Sequence, residues 1–111
     1  MPFVRPIANF EVSPTAALFQ GVNAGVDVSF FITDHPPGSG PNLHYHPYAE
    51  VFIVQEGEAT FTVGDEQVVV TGGHIAIVPP ETPHGFKNTG EGQLRQVSIH
   101  TSPEMIQTEL T

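Results

Sequence analysis

The sequence predicts an all-β sandwich or barrel. Three observations carry this. Short runs rich in Val, Ile, Thr and Phe recur along the chain, the residue types that suit a pleated surface. Turn signals built from Gly, Pro, Asp and Asn separate the runs at intervals of roughly 6 to 12 residues. Helical periodicity is confined to the C-terminal end, and there is no internal repeat or linker.

The elements follow in order. Residues 1–14 carry Phe3, Val4, Ile7 and Phe10 between Pro2, Pro6 and Pro14. Proline cannot sit in a central strand, so this is an extended arm or edge strand. An apolar arm either covers its own sheet or packs across a dimer partner, and both remain open. AALFQ (16–20) is a short strand, residues 21–25 a turn and VDVSFFIT (26–33) a firm strand. DHPPGSGPN (34–42) is a loop, because its prolines and glycines cannot continue a ladder. EVFIVQEG (50–57) puts Glu50, Phe52 and Val54 on one face, and Val51 and Ile53 on the other. Both faces are apolar, so this strand is covered on both sides. ATFTV (59–63) alternates, with Ala59, Phe61 and Val63 inward. Turns at 64–67 and 72–73 bracket VVVT (68–71), and HIAIV (74–78) leads into a Pro-rich loop at 79–85. QLRQVSIH (93–100) is the last strand. Ser102, Pro103 and Glu104 then read as an N-cap, a first helical position and a first-turn acid. Met105, Ile106 and Leu110 share one face of the short helix expected over 102–110.

At 111 residues the chain is one domain, 1–111, long enough to bury a core without a staple. It has no cysteine. Disulfides, thiolate metal sites and a cysteine nucleophile are excluded, and any metal must be held by nitrogen and oxygen. The net charge is -9, with Arg5, Lys87 and Arg95 the only basic residues. Nucleic acid and anionic membrane surfaces are therefore poor partners. No apolar stretch is long enough for a membrane-spanning helix. The N-terminus shows no basic-then-apolar leader pattern. A soluble cytoplasmic protein is the expectation.

Chemistry concentrates in GSGPNLHYHPYAEVFIVQEG (38–57). His44, His46 and Glu50 share parity, so an extended backbone projects all three to one side. Two neutral imidazoles and a carboxylate are most of a divalent-metal site, which needs a further ligand from elsewhere. GHIAIVPPETPHGFKN (73–88) presents one more histidine, His84, from the Pro-rich loop.

Here the chain resembles a family. Residues 38–57 fit the first cupin motif, G-x5-H-x-H-x3-E-x6-G, through Gly38, His44, His46, Glu50 and Gly57. Residues 73–88 resemble the second, G-x5-P-x-G-x2-H-x3-N, through Gly73, Pro79, His84 and Asn88. Glu81 stands where the family usually has glycine, a difference that falls on a turn and not on a ligand. The resemblance to small single-domain bacterial cupins implies an antiparallel β-barrel of jelly-roll type. It also implies a metal held by His44, His46, Glu50 and His84. Imidazoles with one carboxylate suit Fe, Mn, Co, Ni, Cu or Zn, and affinity order does not choose among them. In an octahedral metal, two adjacent positions stay open for substrate or O2. Glu50 is also the candidate catalytic base, as proposed for related dioxygenases.

The other polar residues read more plainly. His35, His74 and His100 lie at strand ends and suit surface or hydrogen-bonding roles. Tyr45 and Tyr48 suit packing or the rim, and Asn88 braces its loop. On the last strand Arg95, Val97 and Ile99 share one face, and Leu94, Gln96, Ser98 and His100 the other. If the second face looks inward, Gln96, Ser98 and His100 orient substrate; if the first does, the pocket is mostly apolar. Phe52, Phe61, Ile75 and Phe86 are the expected apolar wall, suited to a small aromatic or enolic ligand. Two classes of function follow. One is a metal-dependent enzyme: a dioxygenase-like oxidoreductase first, then an isomerase, decarboxylase or cyclase. The other is a non-catalytic cupin that binds or senses a small molecule. The expected assembly is a homodimer.

Overall fold

Two antiparallel sheets face each other. The computed structural model describes residues 3–110; Met1 and Pro2 of the expected arm lie outside the described residues. The strands are β1 (Glu11–Ser13), β2 (Ala16–Phe19), β3 (Ser29–His35), β4 (His44–Tyr45), β5 (Glu50–Glu56), β6 (Glu58–Val63), β7 (Glu66–Thr71), β8 (His74–Val78), β9 (His84–Asn88), β10 (Leu94–His100) and β11 (Thr108–Glu109). One sheet has the order β1-β2-β3-β10-β5-β8 and the other β11-β4-β9-β6-β7. From β3 onward the chain crosses between the sheets at every step except the β6–β7 hairpin, the pattern of a jelly roll.

Alternation along each strand builds the interior. Glu50, Phe52 and Val54 of β5 are buried, while Val51 and Ile53 on its outer face are half-buried. On β10 the buried set is Leu94, Gln96, Ser98 and His100, so this is the inward face. The core joins Phe52, Val54, Val78 and Leu94 of one sheet to Ala59, Phe61 and Phe86 of the other. Phe61 stacks on Phe86 at 5.2 Å between ring centroids and meets Phe52 edge-on at 5.0 Å. Burying one such ring stabilises the fold by roughly 1.5–3 kcal/mol. Gly57 makes the turn from β5 to β6 at φ 95°. A side chain there would collide with the Gln93 carbonyl.

Four expectations change. The strand expected at 26–33 starts only at Ser29 and runs on to His35, because β10 pairs with it along its whole length, from Ser29↔His100 to His35↔Leu94. The loop at 79–85 ends two residues sooner, since His84 opens β9. In the N-terminal arm, Ile7–Phe10 is a 3-10 turn and not extended. Phe10 packs on Phe19 of its own sheet at 5.8 Å, so this part of the arm covers its own fold. The helix expected over 102–110 does not form: residues 101–104 are a bend, and Thr108–Glu109 is strand β11. The helix signals there are local, and so short a segment is not stable without a face to bury. The open edge of β4 offers backbone partners instead, with Thr108 opposite Tyr45 and Glu109 opposite His44. Among the described residues no helix is long and apolar enough to cross a membrane.

Candidate metal centre

Four residues that could hold a metal converge between the sheets, all buried: His44, His46, Glu50 and His84. Their candidate ligand atoms lie within 4.8 Å of one another. His44 opens β4 and His84 opens β9, and the two are directly paired across these strands. His46 follows β4, and Glu50 opens β5 after the bend at Pro47 and Tyr48. One short stretch therefore supplies three donors, and cross-strand register brings in the fourth.

Backbone carbonyls orient the rings. His44 Nδ1 donates to Asn42 O at 2.7 Å, His84 Nδ1 to Thr82 O at 2.8 Å and His46 Nδ1 to Ile106 O at 2.7 Å. A carbonyl only accepts, so each Nδ1 carries the hydrogen and each neutral ring has its lone pair on Nε2. Those lone pairs converge with a carboxylate, which is also an acceptor. Glu50 Oε1 lies 2.9 Å from His84 Nε2 and 3.0 Å from His46 Nε2. His46 Nε2 is buried without a hydrogen-bond partner, its approach to Glu50 lacking the alignment of a bond. Acceptors this close repel unless a proton or a cation lies among them. Three imidazole nitrogens and one carboxylate, each ring fixed from behind, fit a divalent transition metal.

The electrostatics agree with that assignment. Burial opposes ionisation of Glu50, but contacts from His100, His46 and His84 outweigh it and hold the carboxyl well below the usual carboxylate range. Burial pushes the His44 pKa down, only partly offset by the Asn42 carbonyl. Burial also opposes a proton on His46, yet Glu50 and the Ile106 carbonyl prevail, so its pKa is raised. The cluster is thus an anion set among imidazoles, one of which readily takes a proton.

Beside the cluster lies a cavity of about 410 Å³, with His44, Glu50 and His100 at one end. Phe52 and Phe86 form apolar wall, joined by Phe31, and Gln96 and Ser98 are among its polar lining, joined by Thr33. No lysine or arginine lines it. Two expected wall residues lie elsewhere. Phe61 is buried behind Phe86 in the core, because β6 is one strand further from the cavity than β9. Ile75 points outward from β8 and is 60% exposed, since its partner Ile53 is on the outer face of β5. His35 lines the cavity and pairs with Ser39, whereas His74 is exposed and bonds to Thr71. Asn88 ties its loop together through His35 O, Gly92 O and the Gly90 amide.

His100 is more than a strand-end histidine. It is buried, with Nε2 3.1 Å from Glu50 Oε2 and Nδ1 2.6 Å from the Tyr48 hydroxyl. The sequence groups it with Gln96 and Ser98 on the face of the last strand that looks inward. The role of Tyr48 and the Ile106 carbonyl carried no sequence signal.

A two-sheet jelly roll with a buried cluster of three histidines and a glutamate defines a class of metal-site barrels. Residues 31–100 match the family model for the cupin domain, and the chain belongs to the cupin family. It is 32% identical over 79 residues to an uncharacterized protein of Methanocaldococcus jannaschii, covering 70% of this chain and 63% of that one. It is 30% identical over 87 residues to the H2HPP isomerase of Bacillus subtilis, covering 70% and 37%. The chain spans less than two thirds of the length of these curated relatives. Among solved structures, Bacillus subtilis oxalate decarboxylase superposes with a TM-score of 0.85 at 21% identity, over 98% of this chain and 32% of that one. A conserved protein with a double-stranded beta-helix domain from Klebsiella pneumoniae superposes with a TM-score of 0.76 at 19% identity, over 97% and 96%. These structural likenesses show the fold.

Proposed function

We propose that this chain is a metal-dependent enzyme acting on a small oxygen-rich or enolic substrate, with dioxygenase-type chemistry as the first reading. The observation that carries it is the cluster of His44, His46, Glu50 and His84 beside a cavity of about 410 Å³. A bound divalent metal supplies Lewis acidity and a template for substrate and O2. The protein's own groups do the rest. Phe52 and Phe86 exclude water and hold an apolar ring or chain, and Gln96 and Ser98 offer neutral hydrogen bonds. With no basic side chain in the lining, an anionic oxygen on the substrate is best placed at the metal, leaving a neutral remainder in the cavity. Glu50 is the candidate base.

A second reading is proton-transfer chemistry: an isomerase or decarboxylase. The relationship to H2HPP isomerase favours it, as does His100 beside the second oxygen of Glu50. A non-catalytic binding or sensing cupin is the alternative class. Elemental analysis of purified protein comes first, then O2 uptake with catechols, flavonols and 1,3-diketones, and loss of α-deuterium from enolisable keto acids followed by NMR. Turnover in the first assay supports the oxygenase and in the second the isomerase. Bound metal without turnover in either supports the binder. His46→Ala should abolish metal binding, and an unchanged metal content would refute the site.

The reading includes a homodimer. Two cross-strand rows run over the outer face of the six-stranded sheet, Ala17–Ile32–Val97–Ile53–Ile75 and Phe19–Phe30–Ile99–Val51–Ile77. Neither row contains a charge. An antiparallel sheet facing water ordinarily alternates apolar and polar, so the part of this face beyond the arm that packs on Phe19, namely Val97, Ile99, Val51, Ile53, Ile75 and Ile77, suits a second sheet packed against it.

A further inference from the structure

We propose that Tyr48 and the backbone N–H and C=O of Ile106 form a positioning clamp that sets His46 and Glu50 together, coupling metal binding to the docking of the C-terminal segment. The inference rests on the metal-dependent reading above. His44 and His84 take their carbonyl acceptors from two residues upstream, Asn42 and Thr82. His46 instead uses Ile106, 60 residues away in the sequence. The backbone of that one residue also works from its other side. Its N–H donates to the Tyr48 hydroxyl at 3.1 Å. With a donor already on its oxygen, the Tyr48 hydroxyl gives its own hydrogen to His100 Nδ1 at 2.6 Å. His100 then carries its hydrogen on Nε2, which lies 3.1 Å from Glu50 Oε2, at ion-pair distance although not aligned as a hydrogen bond. That contact occupies Oε2 and leaves Oε1 facing His46 and His84. The Tyr48 ring completes the arrangement by lying flat on His46, 5.1 Å between centroids and 7° from parallel.

A single tail residue thus reaches two of the four candidate ligands by separate routes. Groups that orient ligands from behind typically change metal affinity about 10- to 100-fold when removed. The tail itself is lightly held. Ile106 is 47% exposed. The segment is anchored by the short β11–β4 pairing and by bonds such as Leu110 N to Leu43 O, Met105 N to Gln20 Oε1 and Pro103 O to Val22 N. Segments with few buried contacts open locally at low cost. If docking the tail favours the metal geometry, metal must favour the docked tail by the same factor.

The experiment is hydrogen exchange on the full chain with and without Co(II), together with Co(II) titrations of wild type, Tyr48→Phe and His100→Gln. Metal should slow exchange across residues 103–110 by on the order of tenfold. Tyr48→Phe keeps the ring on His46 and removes only the hydroxyl. It should weaken Co(II) affinity about 10- to 100-fold, alter the visible ligand-field spectrum and reduce the metal-induced protection of the tail, the direct His46–Ile106 bond remaining. His100→Gln, which breaks the same chain one link later, should alter the spectrum likewise and serves if Tyr48→Phe does not fold. Wild-type protein that takes up no Co(II) would overturn the metal reading itself. Normal Co(II) uptake with tail exchange unchanged by metal, or with an affinity and spectrum unaffected by Tyr48→Phe, would overturn the clamp alone.

Discussion

The amide of Glu81 donates to the carbonyl oxygen of His46 at 2.7 Å. This bond ties the loop that leads to His84 to the segment that carries the other three donors. It is made with Glu81 at φ 61°, the left-handed region that favours glycine. The cupin resemblance places glycine at this position, and the backbone has kept the conformation although the residue differs.

Glu81→Gly should therefore stabilise the fold. A side chain in the left-handed region costs about 1–2 kcal/mol, partly offset by the extra freedom of glycine when unfolded. The expected gain is about 1 kcal/mol, seen as a rise in Tm of about 4 °C with metal stoichiometry unchanged. A fall in Tm would show that the Glu81 side chain makes a compensating contact.

Metal affinity should fall on acidification, beginning above pH 6.5. His46 has its pKa raised from 6.5, so it keeps a proton above that pH which metal must displace. His44 has its pKa lowered, so it stays neutral to more acid conditions. Glu50 stays ionised over this window and contributes no slope. Competition against a coloured chelator should show affinity approaching a loss of about tenfold per pH unit below the His46 pKa. A flat profile between pH 8 and pH 6 would refute the assignment of His46.

Phe61→Ala should behave as a core lesion and not as a pocket lesion. The ring is 2% exposed and packs between Phe52 and Phe86. Its removal is expected to cost about 3–5 kcal/mol in denaturant unfolding, with Co(II) affinity of the folded fraction unchanged. Near-native stability with altered ligand binding would return Phe61 to the cavity wall.

Ile77→Lys tests the dimer. Ile77 is 63% exposed in the single chain, and substitutions at exposed sites seldom change stability by more than about 0.5 kcal/mol. In a face-to-face dimer the same change buries a charge. Light scattering should report a dimer for wild type and a monomer for Ile77→Lys, with unchanged circular dichroism. A monomeric wild type at tens of micromolar would sink the proposal.

Much of this was legible in the chain itself. The donor types were legible, and the two cupin motifs that the chain resembles supplied their spacing, but no single extended strand joins them: the chain bends at Pro47 and Tyr48, with His44 on β4 of one sheet and Glu50 on β5 of the other. Strand alternation assigned Ala59 and Phe61 to the interior and put Phe52 and Val54 on the face of Glu50. It failed where a choice between two faces depends on a neighbour. Nothing in QLRQVSIH or HIAIV says which side looks inward, so the expected wall position of Ile75 falls on the wrong face, and the parity that puts Phe61 inside is blind to which strand lies next to the cavity.

The C-terminal segment marks the boundary most clearly. Ser102, Pro103 and Glu104 carry helix-start signals, and only the free edge of β4 made a strand the better use of the backbone that follows. The Ile106 carbonyl behind His46 is more remote still, since a peptide group looks alike at every position in a sequence. By itself the sequence determined which residue types could be donors and, through the motifs it resembles, which four residues they are, because these depend on residue type and spacing. The tertiary structure alone decided what stands behind each donor and what lines the cavity, because those depend on contacts between residues far apart in the chain.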